Sequence, residues 1–399
     1  MNQSTRMSKD MNGNKHLIRT IAISGVAVFV SYLINLVLTG YITENIGIEA
    51  YGFVAIAKSF VGYAAIITTA LTTFVVRYIS VMYHQKRIGE SQIYFSSSVG
   101  ASIVVGGVLI LAALGLAFNL HRLLIIPEHL IQSVRFLFII MFLNLVVMTM
   151  TTPYSSAAYI CNRLDLAGMI RIGSYLVEAV ALVVLFRMWK PAVWFVGMGA
   201  LIASSFTLIW NMHLTKQLTP ELQFKTKEVS FVYVKELISK GVWNSLNSLG
   251  NVLNSGLDVF IANRLLTGVQ TGQISVVKTI DMIFSSLYQV VFQPFQPKLI
   301  EAYSSGDKAY FIRETQKAMC ACGYFSNIAF AGFCVLGKVY FQLWLPGEDS
   351  EYLYLITLIS ILGSITAGVS QPVYYVNTLT VKNRIPCWIT IFSGIVNVI

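Results

Sequence analysis

Apolar stretches of roughly 20 residues or more recur along nearly the whole chain, and nothing else in the sequence restricts the fold as tightly. A helix rising ~1.5 Å per residue needs about 20 residues to cross a hydrocarbon core ~30 Å thick. By that measure spans fall near 17–43, 51–80, 91–118, 131–160, 168–190, 192–214, 240–264, 272–300, 316–345 and 351–380, and an eleventh begins near 385. Of the 399 residues, 56% are hydrophobic and 12% charged. Soluble domains carry about a quarter charged residues, so this chain lacks the polar side chains to cover a soluble surface. The expectation is an all-α integral membrane protein.

Lys15 and Arg19 precede the first apolar stretch in the manner of a secretory signal. The stretch is too long, has no convincing small-residue cleavage site and is followed by further spans, so it reads as a retained first helix. Cys161, Cys320, Cys322, Cys334 and Cys387 are odd in number and lie in or beside helices, which argues against a disulfide framework. Cys320 and Cys322 have no His or further Cys at ligand spacing, so no metal site is expected. The formal net charge is +10, yet its placement excludes nucleic-acid binding. Arg6, Lys9, Lys15, Arg19, Arg77, Lys86, Arg87, Arg163, Arg171, Lys216, Lys225, Lys227, Lys235, Lys240, Lys298, Lys308, Arg313, Lys317, Lys382 and Arg384 all fall on one side of the spans. The alternate loops hold Glu44, Glu49, Glu128, Glu348, Asp349 and Glu351, with Arg122, Arg135, Arg187, Lys190, Arg264 and Lys338 as exceptions. The positive-inside rule then predicts a cytoplasmic N-terminus.

The chain also repeats itself. Gly25, Asn35 and Gly40 match Gly241, Asn251 and Gly256 at an offset of 216; Gly52 and Lys58 match Gly272 and Lys278 at 220. Pro127 with Pro346 and Pro153 with Pro372 recur at 219, and Asn162-Arg163 recurs as Asn383-Arg384 at 221. An ordered series at nearly constant offset marks two homologous halves. Six spans per half keep both halves in the same orientation, so the pseudo-two-fold axis lies along the membrane normal. The expected organisation is a six-helix bundle over 1–214, a cytoplasmic linker over 215–239, and a second bundle over 240–399. The amphipathic stretch Phe231-Val232-Tyr233-Val234 either lies on the membrane surface or belongs to a solvated linker. The counterpart of the sixth span would fall near 411–433, so the second bundle reads as truncated in its eleventh span.

Two passages carry a resemblance. One is Gly47-Ile48-Glu49-Ala50-Tyr51-Gly52-Phe53 with the helix to Leu71 and Arg77-Tyr78. The other is Trp243-Asn244 with Leu249-Gly250, Asp258, Arg264 and Thr271-Gly272. Together they resemble the polysaccharide-exporter branch of the multidrug/oligosaccharidyl-lipid/polysaccharide flippase superfamily, the O-antigen flippase-like transporters, over essentially the whole chain. The resemblance implies a V-shaped, MATE-like fold of two bundles with alternating access, in a bacterial cytoplasmic membrane. It implies a polyprenyl-pyrophosphate-linked oligosaccharide as cargo, with membrane lipids and other polysaccharide-assembly proteins as partners.

Ionisable groups at membrane depth cost about 2.5–3.5 kcal/mol on insertion scales, so each needs a partner or a wet cavity. Lys58 lies seven residues past Tyr51, roughly 10 Å below the end of its helix, and Lys278 holds the same place in the second half. Such a pair would face a central cavity where a lipid pyrophosphate needs charge compensation. Lys278 has Asp281 one turn away and Asp258 at similar depth, so a neutralised packing pair is an equal reading. Lys58 has Val61 and Ile42 where those acids would recur and is expected to face the cavity; Glu178 is placed to pair with it or to act as a protonatable coupling group. Arg77 reads as a headgroup anchor.

Asn244, Asn247, Asn251 and Asn254, at spacings of three and four, line one face of the seventh helix; with Asn35 and Asn144 they serve either interhelical hydrogen bonds or a polar cavity wall meeting sugar hydroxyls. Pro153 and Pro372 are expected to break or kink the fourth and tenth helices, as hinges or static bends. Gly332 and Gly337-Lys338 match phosphate-loop spacing, but Val339 stands where Ser or Thr would bind magnesium, within an apolar span. No cofactor, ATPase or other enzyme is expected. The competing readings are a multidrug or cation antiporter of the same superfamily, which would centre on carboxylates, and a membrane-embedded polysaccharide polymerase, which would need a larger external domain.

Overall fold

The computed structural model describes residues 33–161, 163–292, 306–379 and 384–398, with single positions at 26, 30, 31, 295, 296, 299, 302 and 303. It is helical throughout, with no strand among the described residues. Helix α1 covers 33–46 and ends at Gly47, whose φ of 83° turns the chain tightly into α2 (Ile48–Thr72). There follow α3 (Val75–His84), α4 (Ile88–Leu123), α5 (Ile131–Ile160), α6 (Leu164–Met188), α7 (Trp194–Leu218), α8 (Phe231–Asn251), α9 (Asp258–Leu265), α10 (Gly268–Phe292), α11 (Lys308–Trp344), α12 (Ser350–Leu379) and α13 (Arg384–Val398). Among the described residues, seven helical segments are long and apolar enough to cross a membrane. The chain is a multi-pass membrane protein.

Each expected span overlaps at least one of these helices, with differences that have local causes. The second span is divided into α2 and α3 at Thr73-Phe74. The Thr72 and Thr73 hydroxyls donate to the Thr68 and Thr69 carbonyls at 2.9 and 2.6 Å, an alternative to the backbone ladder that bends helices. Residues 231–239, expected in the linker, form the first turns of α8, while α7 runs on to Leu218. The stretch Phe231–Val234 is therefore helical, with Phe231 and Val232 exposed. Helices α5 and α12 pass through Pro153 and Pro372 without a break.

The linker is tied to the first bundle by polar side chains that α4 carries at its buried start. Gln92 Oε1 accepts from the Gln223 N–H at 2.9 Å, and its amide donates to the Gln223 carbonyl. Ser96 Oγ accepts from the Lys225 N–H at 3.2 Å and Ser97 Oγ from the Ser230 N–H at 2.9 Å. These serines and the glutamine satisfy linker backbone that has no helix of its own.

Within the first half α5 packs on α7 and α4, and α6 packs on α7; within the second, α12 packs on α11 and α10, and α13 lies along α8. One apolar core runs across both halves, joining Phe53, Ile56 and Ala57 of α2 to Val259 of α9 and Val276 and Ile280 of α10. At the linker end the halves meet where α8 lies on α2. Ser245 Oγ donates to the Ile66 carbonyl at 2.7 Å, and a Cβ on Gly241 would overlap the Ala70 carbonyl oxygen. Backbone cannot retreat as a side chain can, and overpacking costs about 1–3 kcal/mol. Gly241→Val should lower the melting temperature in detergent by several degrees while Gly62→Val, in open space, leaves it unchanged. Equal melting of the two variants would refute this contact.

Candidate functional site

Most hydroxyls in these helices are committed locally, which narrows the search for groups free to meet a ligand. Thr39, Thr43, Ser59, Thr69, Thr149, Thr215, Ser275 and Ser326 each donate to the carbonyl four residues back. The asparagines divide. Asn35 donates to the Ser31 carbonyl at 2.8 Å. Asn144 Oδ1 accepts from Ser204 Oγ at 2.5 Å, joining α5 to α7.

Asn254 does not continue the face of Asn244, Asn247 and Asn251. It sits in a π-helical turn, Val252–Gly256, between α8 and α9, and the wider i to i+5 turn shifts the phase of everything after it. Its amide donates to the Gly250 and Thr390 carbonyls at 3.0 and 2.9 Å and its Oδ1 accepts from Ser393 Oγ at 3.0 Å. Asn254 thus docks α13. Asn247 and Asn251 are exposed on α8.

The charged residues fall into two groups, one in each half. In the second half, α9 presents Asp258 at its first residue and α10 presents Lys278 and Asp281 one turn apart. Lys278 Nζ pairs with Asp258 and lies 3.7 Å from Asp281. Ser360 of α12 donates to Asp281 Oδ2 at 2.6 Å, while the buried Oδ1 of Asp281 has no hydrogen-bond partner. All three ionic side chains are 24–31% exposed, so the group is neither sealed nor open. It carries a net single negative charge with every group ionised.

In the first half, Lys58 of α2 is exposed and forms no ion pair within 4 Å with a described carboxylate. Its charge acts on Glu178 of α6, the half-buried acid reached across the bundle. Helix α6 takes its main packing from α7 and α5 rather than from α2. The repeat has therefore kept the lysine and replaced its acids. Lys278 takes carboxylates from its own helix and the one before; Lys58 looks to an acid three spans on.

Aromatic side chains join α2 to both halves near these groups. Phe60 of α2 contacts Tyr63, Phe138 of α5 and Phe260 of α9 with ring centroids 5.3, 5.4 and 5.7 Å apart. Tyr63 lies within electrostatic reach of Asp258, although it belongs to the other half. Neither Phe60, Tyr63 nor Ser360 stands out in the sequence: an aromatic or hydroxyl residue in an apolar helix has no periodic or spacing signal, and only the packing of α2 on α9 and α10 on α12 gives them a role. Pro153 and Pro372 are buried in α5 and α12.

Known proteins match this architecture. A profile of the family described as "Polysaccharide biosynthesis protein" matches residues 17–298. The uncharacterized membrane protein EpsK of Bacillus subtilis (strain 168) is 26% identical over 374 residues, 94% of this chain and 74% of EpsK. Among solved structures, the inward-facing conformation of a multidrug resistance MATE family transporter of the MOP superfamily superimposes with a TM-score of 0.71 at 11% identity, covering 95% of this chain and 96% of the other. The MATE multidrug transporter DinF-BH in complex with R6G gives 0.63 at 17% identity, covering 94% and 85%. A MOP superfamily transporter from Pyrococcus furiosus, described by the reverse polarity of its binding pocket, gives 0.56 at 11% identity, covering 96% and 94%. The fold is MATE-like.

Proposed function

This chain belongs to the polysaccharide biosynthesis protein family, and from that premise we propose that it is a secondary transporter that flips a polyprenyl-pyrophosphate-linked oligosaccharide across the cytoplasmic membrane. The observation that carries the reading is a lysine retained at repeat-related positions of α2 and α10, with one of the two, Lys58, left without a close ion pair to any described carboxylate. A cation kept at membrane depth against its insertion cost needs a purpose. A pyrophosphate crossing an apolar core needs a cation within reach, and a charge-assisted hydrogen bond is about twice as strong as a neutral one.

The family membership supplies the polysaccharide context, and the MATE-like fold supplies two halves able to expose a central site to either side in turn. Lys58 would receive the diphosphate, with Glu178 holding the ammonium until cargo arrives. Asn247 and Asn251 on α8 offer amides to the sugar. Basic loops at the linker end support a cytoplasmic location for that end and for the N-terminus.

The carboxylates Asp258 and Asp281 support a second reading, a cation-coupled drug antiporter, because the orphaned Asp281 Oδ1 could hold a proton or a small cation. One reconstitution separates the two. Full-length protein in proteoliposomes should move a fluorescent polyprenyl-pyrophosphate oligosaccharide between leaflets at least about tenfold faster than protein-free vesicles. Cargo movement at the protein-free rate, together with gradient-driven efflux of a cationic dye, would transfer the assignment to the antiporter.

A further inference from the structure

At the end of the bundle opposite the linker, repeat-related elements of the two halves close on one another. Gly52 of α2 and its repeat partner Gly272 of α10 lie backbone to backbone. A Cβ on Gly52 would stand 3.1 Å from the Gly272 nitrogen, and one on Gly272 would overlap the Ile48 carbonyl oxygen. One residue from Gly52, the Tyr51 hydroxyl lies 3.1 Å from Thr279 Oγ1 of the other half.

Two further contacts flank this pair. Trp344, at the end of α11, donates its indole N–H to the Leu36 carbonyl of α1 at 2.6 Å and packs on Gly40. In the first half Ile125, at an offset of 219 from Trp344, follows the end of α4. Its N–H donates to Asn263 Oδ1 of α9 at 3.2 Å, and the Asn263 amide donates to its carbonyl at 3.4 Å. Helices α4 and α11 are repeat-related, and so are α1 and the α8–α9 pair. The end of each half's third span thus latches onto the other half's first span.

The geometry points to a single outer gate, built by gene duplication from these repeat-related positions: glycine against glycine at the axis, with one latch on either side. The inference rests on the transport reading for its consequence, since a sugar leaving by this end must separate all three contacts. Its construction suits repeated opening. Glycines let two backbones close without interlocking side chains, and the remaining bonds are neutral hydrogen bonds, each of modest net strength. Among the described residues no ion pair spans this seal.

The test uses the full-length protein with its five native cysteines replaced by serine or alanine. Ile125→Cys with Asn263→Cys should cross-link on oxidation, reduce flipping of a fluorescent polyprenyl-pyrophosphate oligosaccharide to the protein-free rate, and recover with reductant. A cross-linked protein that still flips overturns the gate, as does folded protein that gives no cross-link.

A second measurement needs no cargo. Thr279→Cys in intact cells should react slowly with a membrane-impermeant maleimide, and about tenfold faster when Gly52→Val props the axis open. Rapid labelling without Gly52→Val, or no acceleration with it, overturns the proposal. Failure of flipping in the unsubstituted protein, with the labelling pattern as expected, would count against the cargo and leave the gate standing.

Discussion

Replacing Lys58 with alanine should abolish surface glycan in cells that depend on this protein, while the variant is made, inserted and melts within a degree or two of the parent. No described carboxylate stands within 4 Å of Lys58, so truncation breaks no close ion pair and removes only the longer-range attraction to Glu178, and little stability is lost. Transport is different. If the diphosphate crosses beside Lys58, the variant loses a hydrogen bond to a charged group, about 1.5–3 kcal/mol, and each 1.36 kcal/mol added to the barrier slows crossing tenfold. The expected loss in vesicles is therefore about ten- to hundredfold, enough to remove visible glycan from growing cells. Lys58→Arg should keep much of the activity, because a guanidinium meets phosphate oxygens in a bidentate manner. Glu178→Gln should leave cargo movement above that of Lys58→Ala, since it removes only the neighbour that holds the ammonium. Normal glycan and flipping in Lys58→Ala would sink the cavity-lysine reading.

How much of this was legible beforehand follows from which interactions leave a periodic trace. Membrane spans announce themselves by length and composition, so α4, α5, α6, α7, α11 and α12 fall where the apolar runs put them. The duplication is legible because glycines, prolines and charges resist substitution at tight contacts and at depth, and the offset alone singles out Lys58 and Lys278 as candidates. The interruptions were not legible. The π turn after Asn251 and the bend at Thr73-Phe74 arise from competition between side chains and the backbone ladder, and this leaves apolar patterning untouched. Lys235, Glu236 and Lys240 dilute the hydrophobicity at the beginning of α8 so that it reads as linker, yet Tyr94 of α4 donates to Glu236 at 2.7 Å and Tyr233 packs edge-on against the Tyr94 ring. The asparagines of the seventh span looked like one face, and only the contact of Asn254 with Thr390 shows that part of that polarity is spent on holding α13. The diphosphate reading for Lys58 comes from the cost of a cation at depth, and its relation to Glu178 is an expectation of the sequence alone; the structure adds that the charge of Lys58 acts on Glu178 without a close ion pair.

Replacing Lys278 with alanine should produce the opposite balance of effects, with a stability loss larger than that of Lys58→Ala. Lys278 is the only described cation paired with Asp258 and Asp281, and removing it leaves two neighbouring carboxylates facing each other at membrane depth. Breaking a fully buried pair by removing one partner costs about 3–5 kcal/mol. These side chains are 24–31% exposed, so water shares the burden and a loss nearer 2 kcal/mol is expected, read as a fall of several degrees in detergent melting. Removing a carboxylate as well should restore part of the loss. Lys278→Ala with Asp258→Asn should be more stable than Lys278→Ala alone, because Ser360 can still satisfy Asp281 at its Oδ2. In a double-mutant cycle the coupling between positions 278 and 258 should be clearly favourable, whereas that between positions 278 and 58 should be near zero, as for sites in separate groups. Should Lys278→Ala melt with the parent and fail only in transport, both lysines would be cargo contacts. The charge group of the second half would then have to be read as a second diphosphate station, with Asp258 and Asp281 holding its lysine in reserve.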